Sequence, residues 1–127
     1  MTKLQSIAQQ MTQKGKGILA ADESTPTCNK RFDSVGIESS FEKRNEYRDL
    51  LITANGMEDY IGGVIMFDET LRQSTTSDKK VLFPYHLKAK GVVPGIKVDK
   101  GAKNLAGFNS EKVTEGLDGL RERLAEY

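Results

Sequence analysis

The sequence predicts an α/β fold in which parallel strands alternate with helices. Three short apolar segments carry this prediction, because each ends in charge and is followed by small or polar residues. They span residues 17–24, 62–69 and 94–101. Buried strands that place charge at their C-terminal ends are how a (β/α)8 barrel builds its site. We therefore expect about three βα units of a TIM (β/α)8 barrel, preceded by an N-terminal helix.

The first predicted element is an amphipathic helix over residues 1–13. Its apolar side chains recur every three to four residues, and Lys3 is its only charged residue. This pattern is typical of a helix and not of a signal peptide. Glycines at positions 15 and 17 break the periodicity, and the apolar run of residues 18–21 is the first predicted strand.

Two helices are predicted between the first and second strands. Pro26 suits the first turn of a helix, so Thr25 is the expected N-cap of a short helix that Gly36 closes. From Phe41 onward, apolar residues trace the buried face of a longer helix. Its further members are Tyr47, Leu50, Leu51 and Ala54, and Asn55-Gly56 ends it.

The rest of the chain supplies two more strands. Residues 61–67 form a continuous apolar run, which is typical of a strand buried on both faces. The later elements are a polar loop (74–80), a short helix (81–90), the third strand (92–98) and an amphipathic helix (116–127). We find no linker, so we expect residues 1–127 to be the N-terminal part of a single barrel domain, which typically takes roughly 250 residues.

Composition excludes several classes of partner. The chain has 19 Lys plus Arg against 18 Asp plus Glu, a net charge of +1, so no global field attracts nucleic acid or an acidic membrane. No stretch approaches the roughly 20 apolar residues of a membrane span. The single cysteine rules out an intramolecular disulfide and favours a reducing compartment. We expect a cytoplasmic protein with no nucleic-acid or membrane partner.

Asp22 and Lys97 are the strongest candidates for chemistry. They lie on the predicted first and third strands, and alternate strands of a barrel place inward side chains in one layer, so the two are expected to meet. A carboxylate and an ammonium held close can orient substrate hydroxyls or move protons. The alternative interpretation is a structural ion pair that closes one end of the barrel.

The loop after the first strand offers the groups that a phosphate ester requires. Ser24, Thr25 and Thr27 supply hydroxyls, and Lys30 and Arg31 add positive charge at the start of a helix. Their position after a strand end favours phosphate binding. The alternative is the solvated face of a surface helix.

Other reactive residue types have weaker contexts. Asp68 and Glu69 follow the second strand, but the chain has one His and one Cys and no metal-ligand spacing, so we interpret the acidic pair as structural and expect no metal. Cys28 lies close in sequence to two basic residues, which would lower its pKa and make the thiol reactive. His86 is expected to be a surface or packing histidine.

Several motifs resemble class I fructose-bisphosphate aldolases in their order and approximate spacing. They are GKGILAADEST (15–25), Lys30-Arg31, GGVIMFDETL (62–71), VPGIKVDKG (93–101) and GLDGL (116–120), and the resemblance covers nearly the whole chain. Ser74-Thr75-Thr76 and Val93-Pro94-Gly95 are more similar to the plant and bacterial members than to the vertebrate ones.

The resemblance implies a barrel enzyme that reversibly cleaves fructose 1,6-bisphosphate into dihydroxyacetone phosphate and glyceraldehyde 3-phosphate. The reaction would pass through a lysine Schiff base and need no cofactor. Asp22 would manage protons and orient the intermediate, and Lys97 would be the active-site lysine of the third strand. The family is commonly tetrameric. The resemblance places four residues near the phosphate groups of the substrate: Ser24, Thr27, Lys30 and Arg31.

The same resemblance assigns the Schiff-base lysine, the acid/base glutamate and a later phosphate-binding arginine to strands beyond Tyr127. Lys97 does not replace that lysine, because Asp22 favours its protonated form and a nucleophilic amine must be neutral. We therefore expect this segment alone to be inactive. Two alternatives stay open: a non-catalytic interaction module that pairs its strand edges with a partner, and another Schiff-base barrel lyase for phosphorylated sugars.

Overall fold

A three-stranded parallel sheet organises the first of the two compact units of this protein. The computed structural model describes residues 2–77 and 80–127, and the units are Met1–Lys97 and Val98–Tyr127. The strands are β1 (Gly17–Ala21), β2 (Ile61–Met66) and β3 (Val93–Ile96), in the order β1-β2-β3. The α/β fold with parallel strands is confirmed. The single domain over residues 1–127 stays a prediction.

The register of the sheet brings the ends of its three strands to one edge. Met66 of β2 pairs with Ala21 of β1 and with Ile96 of β3. Asp22 and Lys97 each follow one of these paired residues directly, so both lie at the carboxyl edge of the sheet. The central strand is the most buried of the three, as its continuous apolar run predicts.

Helices precede and connect these strands within the first unit. They are α1 (Lys3–Met11), α2 (Thr25–Ser34), α3 (Phe41–Ile52), α4 (Met57–Tyr60), α5 (Asp68–Leu71) and α6 (Phe83–Ala89). A capping box between Thr2 and Gln5 starts α1, and Ser40 caps α3 by accepting from the backbone N–H of Lys43 at 3.1 Å. The sequence does not predict α4 and α5, because four residues are too few to show a helical period.

Two helix starts in the first unit differ from prediction. The N-cap of α2 is Ser24 and not Thr25, which is already helical. The helix predicted from residue 81 begins at Phe83, because the backbone before it pairs with the polar loop: the Thr75 N–H donates to the Val81 carbonyl at 2.8 Å. Residues 78 and 79 of that predicted loop lie outside the described residues.

The predicted apolar face of α3 is wrong. Leu50 is 72% exposed and Phe41 is 51% exposed. The buried side chains of α3 are instead Arg44, Arg48 and Ile52, which lie four residues apart and so share one face of the helix. Ile52 joins the apolar core, whose other members are Ala21, Val64, Met66, Phe83, Leu87 and Val92. The two arginines are buried because a carboxylate pairs with both.

The second unit combines a hairpin with a helix. Strands β4 (Ala102–Asn104) and β5 (Lys112–Thr114) pair antiparallel, and α7 spans Leu120–Glu126. The hairpin is absent from the sequence prediction, since its strands are exposed and, at three residues each, too short for an alternation of apolar and polar residues to be recognised. The last helix begins later than residue 116 because Gly119, at φ 65°, forms its N-cap.

Candidate active site

Asp22 and Lys97 meet at the carboxyl edge of the sheet, as the sequence predicts. The Nζ of Lys97 lies 3.6 Å from Oδ2 of Asp22, and the two side chains are 27% and 30% exposed. The backbone N–H of Lys97 donates to the Met66 carbonyl at 2.8 Å, which continues the pairing of β3 for one more residue. The ion pair is therefore held by the sheet and open to a small molecule.

The hydroxyls predicted to bind phosphate lie at the start of α2. The Oγ of Ser24 and the Oγ1 of Thr27 are 3.1 Å apart, within hydrogen-bonding distance. Lys30 is exposed on the same helix. These residues share one short segment directly after Asp22, and phosphate binding by them stays a prediction.

Arg31 is held next to this segment by a carboxylate. Its guanidinium forms an ion pair with Glu23 and donates to the Tyr47 hydroxyl at 3.3 Å. The hydrogen bond to Glu23 is the main cause of a raised pKa for Arg31, so its charge is secure. The side chain is 56% exposed and accessible to an anion.

A buried charged cluster lies beside these residues, and the sequence analysis missed it. Arg44 donates two hydrogen bonds to Glu69, from Nε to Oε2 at 2.9 Å and from Nη2 to Oε1 at 2.8 Å. Arg48, whose side chain is 1% exposed, forms an ion pair with the same carboxylate. The hydrogen bond from Arg44, followed by that from Arg48, holds the pKa of Glu69 below its usual range against the opposing effect of burial. These contacts agree with the structural interpretation of Glu69.

Both arginines of this cluster also contact the segments that carry the candidate site residues. Nη2 of Arg48 donates to the backbone carbonyl of Glu23 at 3.2 Å, directly after Asp22. Nη1 of Arg44 donates to Oδ1 of Asn29, within α2, at 3.2 Å. Helix α3 is thereby fastened to the end of β1 and to the helix that carries the basic residues.

The prediction of a reactive Cys28 is wrong. Its thiol has no exposed surface. Burial raises the pKa of Cys28, and the lowering effect of Arg48 and Arg31 is too small to reverse this. Nη2 of Arg48 lies 3.9 Å from the sulfur, but the guanidinium of Arg48 also pairs with Glu69, and the sulfur remains a buried thiol.

Residues 2–77 and 80–127 contain neither a candidate metal site nor a helix that could span a membrane. No group of three or more His, Cys, Asp or Glu side chains in these ranges could hold a metal ion. No helix there is long and apolar enough to cross a membrane.

Comparison with known proteins decides the family. Residues 3–127 match the family described as glycolytic, fructose-bisphosphate aldolase class I. The chain belongs to the class I fructose-bisphosphate aldolase family. The resemblance carried by its strand-end motifs is thereby confirmed.

Individual aldolases show how much of the family the chain covers. It is 57% identical over 125 residues to a probable class 1 aldolase of Xylella fastidiosa (strain Temecula1), covering 98% of this chain and 37% of that protein. It is 54% identical over 126 residues to aldolase A of Salmo salar, covering 98% of this chain and 34% of that protein. The chain spans about a third of the length of these relatives.

A solved aldolase has the same fold over the matched region. This is fructose-bisphosphate aldolase from Plasmodium falciparum, in a ternary complex with TRAP and a small-molecule inhibitor. It is 48% identical, with a TM-score of 0.90 over 98% of this chain and 35% of that chain. This agreement supports the fold of the segment.

One sequence signal could have revealed the cluster in this aldolase segment. Arg44 and Arg48 are four residues apart and in phase with Ile52, so an apolar residue and two arginines share a helix face. Such a face requires an acidic partner at the sheet edge, and Glu69 follows β2 there. Apolar periodicity alone ignores this possibility.

Proposed function

We propose that this chain forms the first βα units of a TIM (β/α)8 barrel that reversibly cleaves fructose 1,6-bisphosphate into dihydroxyacetone phosphate and glyceraldehyde 3-phosphate. The observation that carries the proposal is the pairing of Asp22 with Lys97, at 3.6 Å, on the carboxyl edge of the sheet. Barrel enzymes place their reacting groups at this edge. The family membership supports the reaction, which in this proposal passes through a lysine Schiff base.

Asp22 and Lys97 act here as a charge-ordered pair. The carboxylate of Asp22 accepts hydrogen bonds from substrate hydroxyls and exchanges protons with them, while the ammonium of Lys97 stabilises negative charge on the reacting oxygen. Lys97 is not the nucleophile, because the carboxylate beside it favours the protonated amine. Later strands of the barrel supply the Schiff-base lysine, the acid/base glutamate and a further arginine, so the segment alone is inactive.

The start of α2 binds a phosphate group of the sugar. Ser24 and Thr27 donate hydroxyl hydrogen bonds, Lys30 contributes charge, and Arg31 offers a forked guanidinium suited to two phosphate oxygens. The complete enzyme works as a cytoplasmic homotetramer without metal or other cofactor.

A hybrid enzyme tests this function. Residues 3–127 of this chain are joined to the part of the Xylella fastidiosa relative that follows its aligned region; we call this protein the hybrid barrel. We expect it to cleave fructose 1,6-bisphosphate and to lose activity when borohydride is added with substrate, because reduction traps the Schiff base. The 127-residue chain alone should do neither.

Asp22→Asn separates this function from its alternatives. In the hybrid barrel it should lower kcat by about 100-fold or more, since it removes a proton-transfer group, and should leave the fold intact by circular dichroism. A folded hybrid barrel without activity would favour the interaction module, whose partner would cover the edges of β1 and β3. Equal activity of Asp22→Asn and the parent would remove Asp22 from the mechanism.

A further inference from the structure

One buried carboxylate anchors two arginines that reach different parts of the candidate site. Glu69 receives both Arg44 and Arg48, which are neighbours on the buried face of α3. Beyond this shared partner their contacts diverge. Arg48 also donates to a backbone carbonyl just after β1, and Arg44 also donates to a side chain of α2.

The contact of Arg48 fixes the backbone on which Asp22 stands. Ala21, before Asp22, is paired in the sheet with Met66. Glu23, after Asp22, has its carbonyl bound by Nη2 of Arg48 at 3.2 Å. The backbone on both sides of Asp22 is therefore held in place. This orients the Asp22 side chain toward Lys97.

The contact of Arg44 fixes the helix that carries the basic residues. Nη1 of Arg44 binds the side chain of Asn29, which directly precedes Lys30 and lies two residues before Arg31. A helix moves as a rigid element, so holding Asn29 sets the position of the cationic groups. Arg44 makes this contact while both its other nitrogens hold Glu69.

We infer that Arg48 and Arg44 are separate positioning residues of the aldolase site, Arg48 for Asp22 and Arg44 for the phosphate-binding helix α2, with Glu69 as their common anchor. The inference rests on the proposed function. It predicts a division of kinetic effects. Misplacing Asp22 lowers kcat, because Asp22 acts on the reacting atoms. Misplacing α2 raises KM, because phosphate contacts contribute to substrate and transition state alike.

Two matched substitutions in the hybrid barrel test this division. Arg48→Lys and Arg44→Lys each preserve the positive charge beside Glu69, but a lysine donates from one nitrogen and cannot bridge two separated partners as the guanidinium fork does. We expect Arg48→Lys to lower kcat by about 10- to 100-fold with KM nearly unchanged. We expect Arg44→Lys to raise KM by about fivefold or more with kcat nearly unchanged.

A purely structural role would not produce this split. Both substitutions weaken the same buried ion-pair cluster, so their thermal unfolding midpoints should fall by similar amounts. Equal factors in kcat and in KM for the two variants would overturn the inference, and so would unchanged kinetics in folded proteins. If Arg44→Lys does not fold, Asn29→Ala tests the same contact from its other side and must raise KM without lowering kcat.

A crystal structure keeps this inference distinct from the proposed function. If the hybrid barrel does not cleave fructose 1,6-bisphosphate, the proposed function fails on that result. The positioning role is then decided by comparing hybrid-barrel structures with and without Arg48→Lys. It requires the Glu23 carbonyl to shift from its parental position and the Asp22 carboxylate to move away from Lys97. An unmoved Asp22–Lys97 pair would overturn it.

Discussion

The Nζ of Lys97 lies 3.6 Å from Oδ2 of Asp22, although the strands that carry them do not pair with each other. Both strands pair instead with β2, where Met66 is the common partner of Ala21 and Ile96. The register of the central strand therefore brings the two charges together. A shift of β2 by one residue against either neighbour would separate them.

Lys97→Met tests whether this lysine is a charge partner or the nucleophile. In the hybrid barrel we expect cleavage to fall by about 100-fold or more, because negative charge on the reacting oxygen loses its stabilising ammonium. Borohydride with dihydroxyacetone phosphate should still label the protein, since another lysine forms the Schiff base. Lys100→Met, at an exposed position, is the matched control and should keep both properties. Loss of labelling in Lys97→Met alone would make Lys97 the nucleophile.

The sheet and the central ion pair are predictable from the sequence for one physical reason. A strand buried on both faces must be continuously apolar, so the run over residues 61–67 has few other interpretations. Parallel strands also bring their C-terminal ends to one edge, and charge that follows such runs must meet there. Asp22 and Lys97 follow from these two constraints without any knowledge of loops.

The face of α3 is not predictable in this way, because its burial depends on a distant partner. Arg44 and Arg48 turn inward because Glu69, more than 20 residues later, forms an ion pair with each of them. The same limit applies to Cys28. Basic residues are close to it in sequence, but its thiol is buried in the folded protein. A local pattern describes the sequence around a residue, and burial is decided by what packs against it.

Glu69→Gln should make the stability of the hybrid barrel less sensitive to acid. The pKa of Glu69 is lowered in the folded state, first by its hydrogen bond from Arg44, so its charge stabilises the fold above the ordinary glutamate pKa of about 4.3. This contribution is lost as pH falls through the lower folded-state pKa. At neutral pH the substitution leaves two arginines without a counter-charge, which costs about 3–5 kcal/mol.

Urea unfolding at a series of pH values measures this effect. The difference in unfolding free energy between the parent and Glu69→Gln should be largest near neutral pH and should shrink below about pH 4. Glu46→Gln is the control, because Glu46 pairs with Lys43 in an exposed ion pair at 2.7 Å and should change stability by less than about 1 kcal/mol. A difference for Glu69→Gln that is constant across pH would contradict the ionised Glu69.

Cys28 should resist thiol reagents in the folded protein. Burial raises its pKa and excludes solvent from the sulfur, so the thiolate fraction and access are both low. We expect a disulfide reagent such as dithionitrobenzoate to modify Cys28 about 100-fold or more slowly in the native hybrid barrel than in denaturant. A cysteine introduced by Ser110→Cys, at an exposed position, should react rapidly in the same sample. Equally fast native modification of Cys28 would show that its surroundings open readily.

The contact between α1 and the central strand leaves no room for a side chain at Gly62. A Cβ added there would lie 2.9 Å from the carbonyl carbon of Met11 and would contact its oxygen even more closely. Backbone atoms cannot rotate away, so α1 must shift for Gly62→Ala to fold. We expect a loss of about 1–3 kcal/mol in unfolding free energy, the usual cost of overpacking.

Gly17→Ala provides the matched control for that substitution. It makes the same change on a neighbouring strand, where an added Cβ would meet nothing within 4 Å. Urea unfolding of the two hybrid-barrel variants should therefore give clearly different midpoints, with Gly17→Ala close to the parent. Similar midpoints would show that α1 is not seated against β2 as described. If Gly62→Ala alone loses stability and its kcat is retained, the α1–β2 contact supports the sheet without reaching Asp22 and Lys97.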